Sequence, residues 1–176
     1  MSIRKAQGFA LIDLIFVAGM ISLLCAIALP RFLLAKQAAG SASAIASMRS
    51  INSAELTYAL TCGNGFYAPN LTTLGVPPAG SNEPFITPGL SQADTVTRSG
   101  YVFRLDAEPY PGAPETCNGL AAGSAGQGFR AAADPAEPQN VRFFATNANG
   151  MIFEDVATLF ADMPEIGEPE SGHVLQ

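Results

Sequence analysis

The sequence has one histidine, nine lysines and arginines, and only 14% charged residues in a length of 176. Each shortage removes a class of function. His173 lies in an acidic tail, and no second histidine or exported cysteine pair completes a zinc set with it. Ser-His-Asp catalysis would need other groups to frame that imidazole, and nothing frames it. The glycine-rich stretch Gly123–Gly128 (GSAGQG) lacks the Lys-Ser/Thr of a phosphate loop and reads as a flexible surface loop. Nine scattered cations against fifteen acids give a net charge of −6, which repels phosphate, so nucleic acid is not an expected partner. The chain is therefore not expected to be an enzyme, and no cofactor is expected. Calcium alone stays open, because Asn147, Asn149 and Gly150 hold half of a calcium-loop pattern without its acids. The cluster Asp162, Glu165, Glu168 and Glu170 reads as a solvated acidic run.

Disorder throughout is excluded, since hydrophobic residues make up 48% of the chain. The length allows one domain, or a small domain with an appendage. Much of the apolar content is concentrated near the start. Residues 1–8 (MSIRKAQG) are short, polar and basic through Arg4 and Lys5. From Phe9 to Leu29 the chain runs FALIDLIFVAGMISLLCAIAL, broken by one charge, Asp13. As a helix this run would be about 31 Å long, enough to cross a bilayer. Twelve of its residues are Leu, Ile, Phe or Val. They contribute roughly −4 to −7 kcal/mol to insertion, against at most about 3 kcal/mol for the acid. The segment should insert, with Arg4 and Lys5 keeping the N-terminus cytoplasmic and the remainder exported. A cleaved secretory signal fits poorly, because the run is long and is followed by Pro30, Arg31 and Phe32-Leu33-Leu34.

An ionisable residue inside a membrane helix asks for a partner. Asp13 is the fifth residue after Gly8 in the string Lys5-Ala6-Gln7-Gly8-Phe9-Ala10-Leu11-Ile12-Asp13-Leu14. This string resembles the type IV pilin and pseudopilin family, with its class III signal peptide. The resemblance rests on a short basic leader ending in Gly, a following Phe, an acid at the fifth mature position and an apolar run. It implies that prepilin peptidase cuts between Gly8 and Phe9 and methylates the new amine of Phe9. It also implies that Pro30, the 22nd residue after the cut, is the helix-loosening proline of many pilins. Asp13 stands where the family has Glu, one methylene shorter, so a minor subunit is an alternative to a major one. The string Met48–Tyr58, followed by Gly63-Asn64-Gly65-Phe66-Tyr67-Ala68-Pro69, resembles the end of the long helix in certain bacterial pilin-like proteins.

The role of the acid also follows from charge. A buried carboxylate needs a positive partner, and cleavage creates one in the amine of Phe9. In a stack of identical helices the amine of one copy can lie beside Asp13 of its neighbour. Phe9 and Asp13 are therefore the expected assembly residues, with Leu11, Ile12, Leu14, Ile15, Phe16 and Val17 in a filament core.

Beyond Pro30, Arg31–Thr61 is rich in Ala, Ser and Leu and reads as helical. Ile45, Met48, Ile51 and Tyr58 form one stripe toward a core, while Lys36, Arg49 and Glu55 should face water or neighbours. Phe9–Thr61 is expected as one long helix kinked at Pro30; two helices broken there are the alternative. Turn signals fill 62–100, with one short helical turn over Asn70–Gly75, capped by Asn70 and stopped by Gly75. Strands are expected over Gly100–Asp106, Gly128–Ala133, Asn140–Thr146 and Met151–Val156. The last two flank Asn147–Gly150, an Asn-Gly hairpin signal. The expected fold is α+β: a long N-terminal helix, transmembrane then amphipathic, packed on a small antiparallel sheet of three or four strands. The expected parts are a leader over 1–8, the helix over 9–61 with 9–29 in the membrane or filament core, a head over 62–162, and an acidic tail over 163–176. The tail should hang over the surface or be disordered.

Cys25 lies in the apolar run. Cys62 and Cys117 lie in the exported part, where oxidation can join them; two free thiols are the alternative. The resemblance implies as partners further copies of the chain, prepilin peptidase, an assembly platform and a motor ATPase. It places the protein in the bacterial inner membrane as a single-pass protein before assembly, and then in a surface pilus or a periplasmic type II secretion pseudopilus. Calcium held near the C-terminus is a property of many such pseudopilins. A membrane-anchored binding module that never polymerises is the reading from a different class.

Overall fold

The structure, a computed structural model, describes residues 11–138 and 140–175. By its contacts the chain divides into two units, Met1–Ala39 and Gly40–Gln176. The helix α1, Leu11–Thr61, runs through both and contains Pro30. Four of its serines and threonines return their hydroxyls to the carbonyl four residues back: Ser22 to Ala18, Ser47 to Ser43, Thr57 to Ser53 and Thr61 to Thr57. Those four hydroxyls therefore need no water. The helix stops where Asn64 and Gly65 turn left-handed, at φ of 52° and 92°. There the Gly65 N–H bonds back to the Ala59 carbonyl at 2.8 Å.

Within Gly40–Gln176, α1 buries Ser41, Ala44, Met48, Ile51, Glu55 and Tyr58, one stripe at three- and four-residue spacing. Ile45 is only half-buried. The expectation that Glu55 faces water is overturned, because its side chain is fully buried. The reason is the stripe itself: position 55 follows Ile51 by four residues and precedes Tyr58 by three, so it points inward.

The sheet is an antiparallel meander in chain order, with β1 at Thr95–Arg98, β2 at Tyr101–Asp106, β3 at Arg130–Pro135, β4 at Phe143–Asn147, β5 at Ile152–Asp155 and β6 at His173–Val174. Tyr101, Phe103 and Leu105 of β2, Ala131 and Ala133 of β3, and Phe144 of β4 join the core that holds Met48, Ile51 and Tyr58. The alternate residues Ala132, Ala145 and Phe153 face a second cluster closed by Leu159 and Met163. Alanine is a poor strand former, yet Ala131–Ala133 is paired on both sides and covered on both faces, which outweighs propensity. Gly40 lets the helix pass close to the β1–β2 turn, where an added Cβ would lie 2.9 Å from the Ser99 carbonyl oxygen. The expected short turn is present as α2, Leu71–Leu74, with the Asn70 side chain accepting from the Thr73 N–H. The hairpin at Asn147–Gly150 also forms, with Gly150 at φ 77°.

Six strands replace the three or four expected, and the two extra ones are the edges. β1 (TVTR) buries only Val96, and β6 is two residues long, so neither carries an alternating pattern. The tail is not a loose appendage. Met163 is buried, and the buried Asn147 amide donates to the carbonyls of Pro164 and Gly167 at 2.9 and 2.7 Å. Beyond them β6 pairs with β5. The stretch Gly123–Gly128 is likewise held in place: Gly126 and Tyr67 exchange backbone hydrogen bonds at 2.9 and 3.0 Å, and Ala125 is fully buried.

Candidate functional site

In the first unit every residue from Leu11 to Lys36 is exposed, including Leu11 at 75% and Ile27 at 71%. This stretch is long and strongly apolar, and none of it is buried. By length and composition α1 can cross a membrane. Asp13 is the acid of its first turn and makes no ion pair among the described residues. Gly8 and Phe9, the expected processing residues, lie outside the described residues. Cys25 is an exposed free thiol on the apolar stretch. Pro30 lies inside the helix, which continues on both sides although the ring cannot donate to the Ala26 carbonyl.

In the second unit the C-terminal end of α1 is anchored three ways. Cys62 and Cys117 form a disulfide, with Cα atoms 4.8 Å apart. The Cys117 N–H also donates to the Cys62 carbonyl at 3.2 Å, so the bond ties the helix end to the β2–β3 connection. Asn118 accepts from the Tyr58 hydroxyl of the helix at 3.5 Å and from the Thr116 hydroxyl at 2.7 Å, and donates to the Thr73 and Val76 carbonyls at 3.0 and 3.3 Å. Glu55 is the third anchor. Its Oε2 accepts from the Ala68 N–H at 2.9 Å, while Oε1 is buried without a partner. Burial pushes this carboxyl well above the ordinary carboxylate range, and the single amide hydrogen bond opposes that shift only in part. Burial also raises the pKa of the Tyr58 phenol, and the Glu55 charge adds to the shift. Sequence reading missed Glu55 because a glutamate on a helix is ordinarily exposed; its place in the 51–55–58 stripe was the available signal.

Three of the remaining arginines are paired with acids. Arg142 clasps Glu154 with two hydrogen bonds, the Nη2 contact at 2.8 Å, which hold the carboxyl below its ordinary range. Arg104 pairs with Asp134, Arg130 pairs with Asp106 at 2.7 Å, and both guanidiniums lie on the Phe160 ring at 4.6 and 5.6 Å. No group of three His, Cys, Asp or Glu converges among the described residues. The two asparagines of the half calcium pattern instead hold the tail, Asn147 through its amide and Asn149 by accepting from the Gly167 N–H at 3.1 Å. A shallow cleft of about 220 Å³ is lined by Arg49, Gly150, Met151, Ile152, Val174 and Leu175. No protein-family model, curated protein or solved structure matches this chain. The candidate site is therefore the exposed apolar stretch of α1 with Asp13, carried by a helix whose far end is covalently and polar-anchored.

Proposed function

We propose that the chain is a structural subunit of a type IV pilus-like filament, cut by prepilin peptidase between Gly8 and Phe9, methylated at Phe9, and polymerised through α1. The observation that carries this reading is the exposed apolar stretch Leu11–Leu34 on an unbroken helix, behind a basic Gly-Phe leader and around one acid. So large a run of exposed Leu, Ile and Phe is not stable in water and needs either lipid or other helices of its kind. The inner membrane supplies the first before assembly. Copies of α1 supply the second afterwards, returning in helix–helix contact what leaving the lipid costs. Asp13 then takes as its partner the amine of Phe9 on a neighbouring copy. No catalytic step belongs to this reading. A motor ATPase and a platform protein supply the work of extraction.

Mass spectrometry of the N-terminal tryptic peptide tests it. A peptide running from methylated Phe9 to Arg31 is the expected result. Finding it in the sheared extracellular fraction assigns a surface pilus, and finding it only in the envelope assigns a type II secretion pseudopilus. An intact Met1 leader, or a mature chain that starts beyond Leu34, overturns the reading and leaves a membrane-anchored binding module.

A further inference from the structure

The unit Gly40–Gln176 is strongly one-signed. It holds every acid of the chain except Asp13, fourteen in all, against five arginines, a formal charge of −9. Three of those arginines are neutralised by Asp134, Asp106 and Glu154. Arg49 is not: it is exposed and makes no hydrogen bond or ion pair among the described residues. It stands on the wall of the cleft of about 220 Å³, beside Met151 and Val174, which are 37% and 40% exposed. The recess therefore mixes apolar side chains with polar atoms and holds one unpaired cation. It suits an aliphatic side chain with a carboxylate beside it.

The same unit carries such a group elsewhere on its surface. Ile166 is 62% exposed, and Glu168, also exposed, follows it across Gly167. Neither lines the cleft of its own chain. The backbone that presents them is held still: Ala148 donates to the Glu165 carbonyl at 3.1 Å, Asn147 to the Gly167 carbonyl, and the Gly167 N–H to Asn149. A ridge already ordered loses little conformational freedom on docking. On an otherwise acidic surface, a second copy that offered Arg49 to this ridge would bring opposite charges together, while most other approaches of two heads bring like charges together.

We infer that the Ile166–Glu168 ridge of one copy docks in the Arg49 cleft of a second copy, with Ile166 against Met151 and Val174 and Glu168 on the Arg49 guanidinium. This contact is between heads and does not require α1 to polymerise. The rest of the acidic surface then keeps copies apart in every other register, so the pair selects orientation more than it supplies affinity.

Cross-linking in cells producing the full chain tests the contact, with Cys25→Ser in every variant. Met151→Cys and Ile166→Cys chains, made together, should form a disulfide-linked dimer containing one of each. Arg49→Glu should lower the yield about fivefold, the scale of turning a partly exposed attraction into a repulsion. Combining Arg49→Glu on one chain with Glu168→Arg on the other should restore it, which a merely misfolded head would not do. A yield no higher than between Met151→Cys and Glu83→Cys, a remote exposed position, overturns the inference. So does cross-linking of Met151→Cys only to other proteins. Methylated Phe9 without the cross-link removes this contact and leaves the filament reading standing. The cross-link with an intact leader does the reverse.

Discussion

Replacing Glu55 with Gln should remove a pH dependence from the stability of the head. The Glu55 side chain is fully buried, with one amide partner and one oxygen that has none. Its folded pKa is raised by burial, whereas in the unfolded chain it titrates near its ordinary 4.5. Above that value the unfolded chain has released the proton and the folded chain still holds it. The folded state then binds more protons, so stability falls as pH rises, by up to about 1.4 kcal/mol per pH unit for this one group. The fall ends once pH passes the raised folded pKa. Gln has the same shape, and its amide oxygen can accept from Ala68, but it does not titrate. The assay is urea unfolding of the full chain in detergent micelles from about pH 5 to about pH 8. Near-ultraviolet circular dichroism can follow it, since all four tyrosines lie beyond residue 57 and there is no tryptophan. The variant should gain on the wild type steadily as pH rises. Glu154 works the other way: Arg142 lowers its pKa, so its contribution is present above the ordinary carboxylate range and is lost in acid. It is common to both proteins and cancels in the difference. A stability difference that stays constant across the pH range would refute the assignment of a buried, proton-holding Glu55.

Three further outcomes are expected. Replacing Cys62 and Cys117 with Ser should cost about 4 kcal/mol in the chain-entropy account, given the sequence separation of 55, and urea midpoints of the full chain measure it. Gly126→Ala should cost about 1–3 kcal/mol, because its Cβ would lie 2.7 Å from the Ala107 Cβ and 2.8 Å from the Gly128 carbonyl oxygen, with no room to yield; an unchanged midpoint would contradict the packing. Asp13→Leu should reach the inner membrane at wild-type levels yet lower the sheared filament fraction about tenfold or more, read by quantitative blotting of both fractions.

What could be read in the chain beforehand was what repeats or what turns. The apolar run, the Met48–Tyr58 stripe, the Asn70–Gly75 turn and the Asn-Gly hairpin are local signals, and each element stands where its residues place it. All the misses but one depend on distant partners. β1 has one inward residue, and its other neighbours along the strand are exposed, so no period shows. β6 is a strand only because β5 offers an unpaired edge. The tail looked loose because its own sequence is acidic and rich in Gly and Pro. It is held by Asn147 and Asn149, two residues whose position in a turn suggested a metal instead. Glu55 was misjudged by residue type, although its position in the stripe was visible.

The two acids of α1 make the case for assembly through contrast. Both are placed where a carboxylate is unfavourable. Glu55 is met inside the chain: the Ala68 N–H donates to Oε2, and burial keeps a proton on the carboxyl. Asp13 has no ion pair among the described residues, and its neighbours are exposed Leu, Ile and Phe. In lipid it costs up to about 3 kcal/mol, where leucine would favour insertion. An acid that served only to pack or anchor would be better replaced by an apolar residue. The residue is intelligible if a cation reaches it later, at the same depth, and that depth lies near the new end created by a cut after Gly8. On this argument the distance from Gly8 to Asp13 matters more than the identity of the acid. Asp13→Glu should therefore assemble, whereas moving the acid one position, as Asp13→Leu with Leu14→Asp, should insert and fail. Equal filament yields from the displaced acid and the wild type would show that Asp13 answers to something other than a neighbour's amine.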